Sequence, residues 1–155
     1  MHPSYNIFVA CTANICRSPI AEGLAAKIGA SHNLIFHVRS GGTMGLIGKS
    51  PAPNSIKTMT KIGIDISHQR SAAITADDID WSDYILVMAP KHAKILRERF
   101  PKAEDKILIL ANFGGMMQID DPIGKWIFAF HSCRKNISRC LHGFCKQLAM
   151  RSSST

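Results

Sequence analysis

The chain is 155 residues long, 46% hydrophobic and 19% charged, which fits one domain with a sizeable core and excludes a disordered or low-complexity protein. No apolar run approaches the roughly 18 residues of a membrane-spanning helix. Its first residues, Met1-His2-Pro3-Ser4-Tyr5-Asn6, lack the basic and apolar regions of a secretion signal, so a cytoplasmic protein is expected.

The run Ile7–Ala10 has strand length and no polar alternation, the pattern of a strand buried on both faces. A loop from Cys11 to Ser18 follows it, and Pro19 is expected to open a helix in which Ile20, Leu24, Ala25 and Ile28 recur at three and four. Leu34–Val38 is a second strand run, and the Gly- and Pro-rich stretch Ser40–Pro53 reads as a long surface loop. Ile56, Met59 and Ile62 mark a short helix before Gly63. Tyr84–Met88 is the third strand, Ala93, Leu96 and Phe100 belong to a helix ended by Pro101, and Lys106–Leu110 is the fourth strand. Trp126, Phe130, Cys133, Ile137, Cys140, Leu141, Phe144 and Leu148 form one apolar stripe along a last helix, with residues 151–155 left as a tail expected to fray. This alternation predicts a single doubly wound α/β domain over residues 1–155, with a four-stranded parallel sheet and helices on both faces. Ligands in such folds bind beyond the carboxyl ends of the strands.

Charge and cysteine usage narrow the partners. Of the net charge of +8, six charges come from Lys125, Arg134, Lys135, Arg139, Lys146 and Arg151, because no acidic residue follows Asp121. No aromatic interleaves with the basic residues on their own helix face and no RNA or DNA motif appears, so the stretch reads as a solvated helix face, and no nucleic-acid partner is expected. Five cysteines, an odd number, argue for reduced thiols. No CxxC pair and no Cys/His cluster at zinc-finger spacing occurs, so a structural metal is not expected; no cofactor is expected either.

The loop Cys11-Thr12-Ala13-Asn14-Ile15-Cys16-Arg17-Ser18 runs from a strand into a helix N-terminus. Such a loop turns backbone N–H groups inward, and the helix dipole adds positive potential, so an anion is stabilised there. Cys11 at its mouth is a candidate nucleophile. Arg17 supplies a planar fork that binds two phosphate oxygens. The hydroxyl of Ser18 can hydrogen-bond the Cys11 sulfur. Bare Cys-x5-Arg spacing is a weak pattern, equally met by a buried cysteine and a surface arginine.

Its context is more specific. Ile7 to Glu22, together with Arg39-Ser40-Gly41-Gly42-Thr43, Gly63-Ile64-Asp65-Ile66-Ser67-His68, the Asp83-to-Met88 strand and Asp121-Pro122, closely resembles the low-molecular-weight protein tyrosine phosphatases. The resemblance implies catalysis by Cys11, Arg17 and Asp121, the last as the acid that protonates the leaving oxygen. Asp120 is the neighbouring alternative, otherwise a loop cap. Thr12, Ala13, Asn14, Ile15, Cys16 and Ser18 would then bind the substrate phosphate, with Leu46 and Ile123 walling an aliphatic slot. Asn14 would hold the loop in shape and His68 would brace that asparagine, with Ser40 as a further supporting residue. Cys16 matches a second loop cysteine that can pair reversibly with Cys11, with small-residue packing as its other role. Cys133, Cys140 and Cys145 fit the core stripe.

Three departures bear on specificity. Ala13 stands where the family usually has glycine, a strain if that position needs φ > 0. An aliphatic Ile123 follows Asp121-Pro122, and Ala89-Pro90-Lys91-His92 follows Met88 in place of an aspartate. These features are similar to the branch that includes protein arginine phosphatases. Ile15, however, is the tyrosine-phosphatase choice, where arginine phosphatases carry threonine. The resemblance therefore implies a phosphorylated protein as substrate and inorganic phosphate as product, in a chain expected to be monomeric. Phosphotyrosine is the first reading and phosphoarginine the second. Arsenate reduction ranks lower because no cysteine lies between Cys16 and Cys133. A phosphate-binding module without catalysis would need neither Cys11 nor Asp121.

Overall fold

The computed structural model describes residues 1–153. Its elements run β1 (Ser4–Cys11), α1 (Arg17–Ser31), β2 (Ile35–Gly42), α2 (Pro53–Thr60), α3 (Ala76–Trp81), β3 (Tyr84–Val87), α4 (Pro90–Arg99), β4 (Ile107–Ile109) and α5 (Ile127–Ser153). Short 3-10 turns at Pro101–Lys106 and Leu110–Gly114 flank β4. All strand pairs are parallel, in the order β2-β1-β3-β4. Among the described residues no helix is long and apolar enough to cross a membrane.

The alternation of side chains along a strand builds a core on each face. Ile7, Val9 and Cys11 of β1, with Leu86 of β3, pack against Ile20, Leu24 and Ile28 of α1, Met59 of α2, and Ile137, Leu141, Phe144 and Leu148 of α5. Phe8 and Ala10, with Ile85 and Val87, pack against Ile79 of α3 and Ala93 and Leu96 of α4. The sheet is thus buried on both sides, which is why its strands are continuous apolar runs. Phe144 anchors α5 by meeting the rings of Phe36, Tyr84 and Phe113, with centroids 6.0, 5.5 and 5.2 Å away.

Several boundaries differ from the sequence reading. Strand β2 continues to Gly42 rather than stopping at Val38, because Arg39 to Gly42 pair in register with Phe8 to Cys11. The surface loop therefore starts after Gly42. Helix α1 opens at Arg17, with Pro19 inside its first turn, where no N–H is required. Leu110 belongs to the 3-10 turn and not to β4. Helix α3 was not anticipated, although Thr75 and Asp78 form a reciprocal capping box that is legible as T-x-x-D. Trp126 precedes α5 and is 85% exposed, so it is no part of the core stripe. Helix α5 continues through Ser153, so residues 151–153 are helical where fraying was expected, and 154–155 of that tail lie outside the described residues.

The order β2-β1-β3 puts the end of β1 at the point where the chain's crossovers change sheet face, and Cys11 is the last residue of β1. Gly42, paired with Cys11, lets the following loop lie against the end of β2. A Cβ there would stand 2.6 Å from the Thr12 carbonyl oxygen and 2.9 Å from the Ala13 carbonyl carbon. Gly42→Ala should therefore displace the loop and destabilise the fold by about 1–3 kcal/mol. Thermal unfolding should show a lower midpoint.

Candidate active site

The loop between β1 and α1 is held from outside by its carbonyl groups. Cys11 and Thr12 carbonyls accept from the N–H groups of Thr43 and Met44, each at 2.9 Å, and the Ile15 carbonyl accepts from Ala52 at 2.7 Å. The Cys16 carbonyl accepts from Ser55 Oγ at 3.4 Å. With these oxygens drawn outward, the N–H groups of Ala13, Asn14, Ile15 and Cys16 have no acceptor among the described residues. Four unpaired donors around a helix N-terminus make a cradle for an anion with several oxygens.

Asn14 carries the strained step of the loop, with φ of 62°. Ala13 does not have positive φ, so alanine is accommodated at that position without the strain raised above. The Asn14 side chain secures its own conformation. Its Oδ1 accepts from Ala72 N–H at 3.0 Å, and its Nδ2 donates to Ser18 Oγ at 2.7 Å and Ser40 Oγ at 3.0 Å. Ser40 Oγ in turn donates to Glu22 Oε2 at 2.9 Å, and burial raises the pKa of that carboxyl group. Because Ser18 Oγ receives the Asn14 amide, its own hydrogen is free to point at Cys11 Sγ, 2.9 Å away. His68 is exposed and does not bond Asn14, contrary to the sequence reading; Ser40 and the Ala72 backbone occupy the positions around that amide. The His68 charge acts on Glu22 instead.

Arg17 is only 3% exposed. Its Nη1 donates to the Ile119 carbonyl at 2.9 Å, and its Nη2 meets Thr12 Oγ1 at 3.4 Å and Asp121 Oδ2 at 3.5 Å. Asp121 is held by the Ile123 N–H on its Oδ1 at 3.1 Å and keeps 38% of its side chain exposed. A cleft lined by Cys11, Ala13, Ile15, Cys16, Arg17, Asp121 and Ile123 joins these groups. Asp120 does not line it, and accepts from Gln118 on the surface. Leu46, expected as a wall, is not among the lining residues. The chain turns away there through left-handed Gly45 and Gly48, and the Gly48 N–H is tied to the Ser71 carbonyl. Among the described residues, no three His, Cys, Asp or Glu side chains gather to hold a metal ion.

Burial, reinforced by Asp121 and Cys11, pushes the Cys16 thiol up to about 12, which makes it a protonated packing group and a weak nucleophile. Cys133 is likewise raised to about 12 by burial. Sequence reasoning gave no role to His92, in the first turn of α4. The residue is fully buried, its Nε2 lies 2.9 Å from Thr12 Oγ1, and its Nδ1 has no hydrogen-bond partner. The rule that sites form beyond strand ends could have found it, since only two residues separate β3 from α4.

Comparison with known proteins shows what the chain is similar to. The family model described as low molecular weight phosphotyrosine protein phosphatase matches residues 6–154. A protein-arginine-phosphatase of Geobacillus stearothermophilus is 30% identical over 93% of this chain and 96% of its own length. A low molecular weight protein-tyrosine-phosphatase, Ptp, of Acinetobacter johnsonii is 36% identical over 76% of this chain and 79% of its own. The crystal structure of a YwlE mutant from Bacillus subtilis superimposes with a TM-score of 0.87 at 27% identity, covering 93% of this chain and 98% of that one.

Burial, aided by the charges of Arg17 and Lys91, holds the His92 pKa down to about 4, against 6.5 when unfolded. The unfolded chain therefore binds this proton first as pH falls. The stability tied to a neutral His92 is complete above pH 6.5 and is lost between there and about pH 4. Compared with His92→Gln, the native chain should lose about 2 kcal/mol more on going from pH 7.5 to pH 5. Denaturant unfolding of both proteins at the two pH values measures the difference.

Proposed function

The chain belongs to the low molecular weight phosphotyrosine protein phosphatase family, and on that premise we propose that it hydrolyses phosphotyrosine in proteins through a phosphocysteine on Cys11. The observation that carries the reading is the convergence of Cys11, Arg17 and Asp121 on one narrow cleft with the apolar side chains of Ile15 and Ile123. A phosphoryl group seated in the cradle accepts the free loop N–H groups and the Arg17 fork. The phosphorus then faces the Cys11 sulfur, and the aromatic ring of the ester lies between Ile15 and Ile123.

In the first step the sulfur forms a bond to phosphorus as the phosphorus–oxygen bond to the phenol breaks, and Asp121 gives its proton to the leaving oxygen. Charge spread over the equatorial oxygens strengthens their bonds to Arg17 and the loop, which lowers the barrier. In the second step Asp121 takes a proton from water as that water attacks phosphorus. The sulfur leaves as a thiolate, stabilised by the Ser18 hydroxyl. Inorganic phosphate is the product. A reducing compartment such as the cytoplasm suits a nucleophilic thiol.

Phosphoarginine is the second reading, supported by the likeness to the Geobacillus stearothermophilus protein-arginine-phosphatase over nearly the whole chain. Ile15 favours the first. A β-branched side chain at the cleft wall packs against a planar ring and offers no hydrogen bond to a guanidinium group.

Phosphate release from matched phosphotyrosine and phosphoarginine peptides tests both readings. Release from phosphotyrosine is expected at least tenfold faster, and Cys11→Ser should abolish it. The opposite preference would transfer the assignment to phosphoarginine and leave the chemistry standing. Asp121→Ala should lower kcat on phosphotyrosine by about 10²–10⁴-fold with little change in phosphate affinity. Undiminished turnover in that variant would remove Asp121 as the acid.

A further inference from the structure

His92 sits where the fold asks for an apolar residue. The inner face of α4 is otherwise Ala93 and Leu96, both fully buried in the core beneath the sheet. An imidazole there leaves a buried Nδ1 unpaired, and a buried polar atom without a partner destabilises the fold. A residue that breaks the local packing rule at the rim of a site is expected to serve the site.

Its one bond identifies the service. The ring Nε2 lies 2.9 Å from Thr12 Oγ1. That same oxygen is 3.4 Å from Arg17 Nη2. In either tautomer the ring fixes the position of this oxygen, because Nε2 either donates to it or accepts from it. Thr12 is only partly buried, so packing holds its hydroxyl less firmly than it would hold a core side chain. Without His92 the oxygen that steadies Nη2 would be free to swing away. Of the three acceptors around the guanidinium, the Ile119 carbonyl is fixed by backbone, whereas the partly exposed Asp121 must alternate between acid and base. Thr12 is therefore the one side-chain acceptor on Arg17 that can stay constant through the reaction.

We propose that His92 is a positioning residue: by holding the Thr12 hydroxyl through Nε2 it aims the Arg17 guanidinium at the phosphoryl group. It does not touch the substrate. The inference rests on the phosphatase reading above for its consequence in turnover, but the aiming of Arg17 also governs simple phosphate binding.

The test uses the full chain with an aryl phosphate ester as substrate and inorganic phosphate as ligand. His92→Leu fills the same space without the bond. It should lower kcat at least tenfold, with a smaller change in KM, and weaken phosphate binding several-fold. Its thermal midpoint at pH 7.5 should stay the same or rise, because the unpaired Nδ1 is gone. His92→Gln, whose amide reaches the Nε2 position, should restore most of kcat. Thr12→Val should reproduce the loss, and the double variant His92→Leu/Thr12→Val should lose no more than either alone, since both act through one bond.

A His92→Leu protein with native kcat and native phosphate affinity would overturn the proposal. Losses that multiply in the double variant would overturn it too. If His92→Leu does not fold, His92→Asn, whose amide overlays Nδ1 and cannot reach Thr12, takes its place in the same comparisons. A native chain that shows no Cys11-dependent turnover would sink the phosphatase reading alone. Phosphate affinity would then decide the inference, weakened in His92→Leu if it is right and unchanged if it is wrong.

Discussion

A guanidinium group cannot lose its charge at any ordinary pH, so burying one at 3% exposure obliges the protein to surround it with acceptors. Arg17 meets that requirement with the Ile119 carbonyl, the Thr12 hydroxyl and the Asp121 carboxylate. Two of these lie more than a hundred residues further along the chain. The segment between the fourth strand and the last helix therefore has to close over the loop before the arginine is satisfied. The same closure brings Asp121 against the cleft. Cation and carboxylate are delivered to the proposed nucleophile by one packing event.

The loop itself follows from a second constraint, the need of every buried backbone group for a partner. Its carbonyls find theirs on the outside, from Thr43, Met44, Ala52 and Ser55, and this turns the N–H groups inward. Gly42 permits the approach because it has no Cβ to strike the Thr12 carbonyl. Asn14 completes the turn, taking the left-handed conformation while its amide ties Ser18, Ser40 and Ala72 together. The cradle is fixed before any anion enters. Its donors then bind charge that develops on a phosphoryl group without having to reorganise.

Much of this was legible in order along the chain. Continuous apolar runs mark strands buried on both faces, and the two faces of Ile7 to Cys11 pack as that pattern requires. The loop residues announced a cradle through Pro19 and the strand-to-helix junction, and Asn14 through its tolerance of positive φ. The errors lie where pattern stood in for contact. Leu46 and His68 were placed by the family resemblance, but Leu46 does not line the cleft, and Ser40 stands beside Asn14 where His68 was foreseen. Trp126 matched a helical period yet precedes the helix. His92 stands just before the period of Ala93, Leu96 and Phe100, and nothing in that period distinguishes a core neighbour from one beneath the loop of the site.

The sequence by itself determined the layered α/β architecture, the anion cradle between the first strand and first helix, and the identities of Cys11, Arg17 and Asp121 as candidates. The architecture, the cradle, Cys11 and Arg17 depend on local pattern and residue chemistry, which neighbours in the chain carry with them, whereas Asp121 was named by the family resemblance. Tertiary structure alone decided which of two adjacent aspartates faces the cleft, that Ala13 bears no backbone strain, which side chains wall the slot, and what stands behind Arg17. Each of these turns on groups from β1, β3, the β4–α5 connection and α4 meeting at one strand end. Side-chain direction there is set by burial and hydrogen bonding across a hundred residues, and no short-range pattern records it.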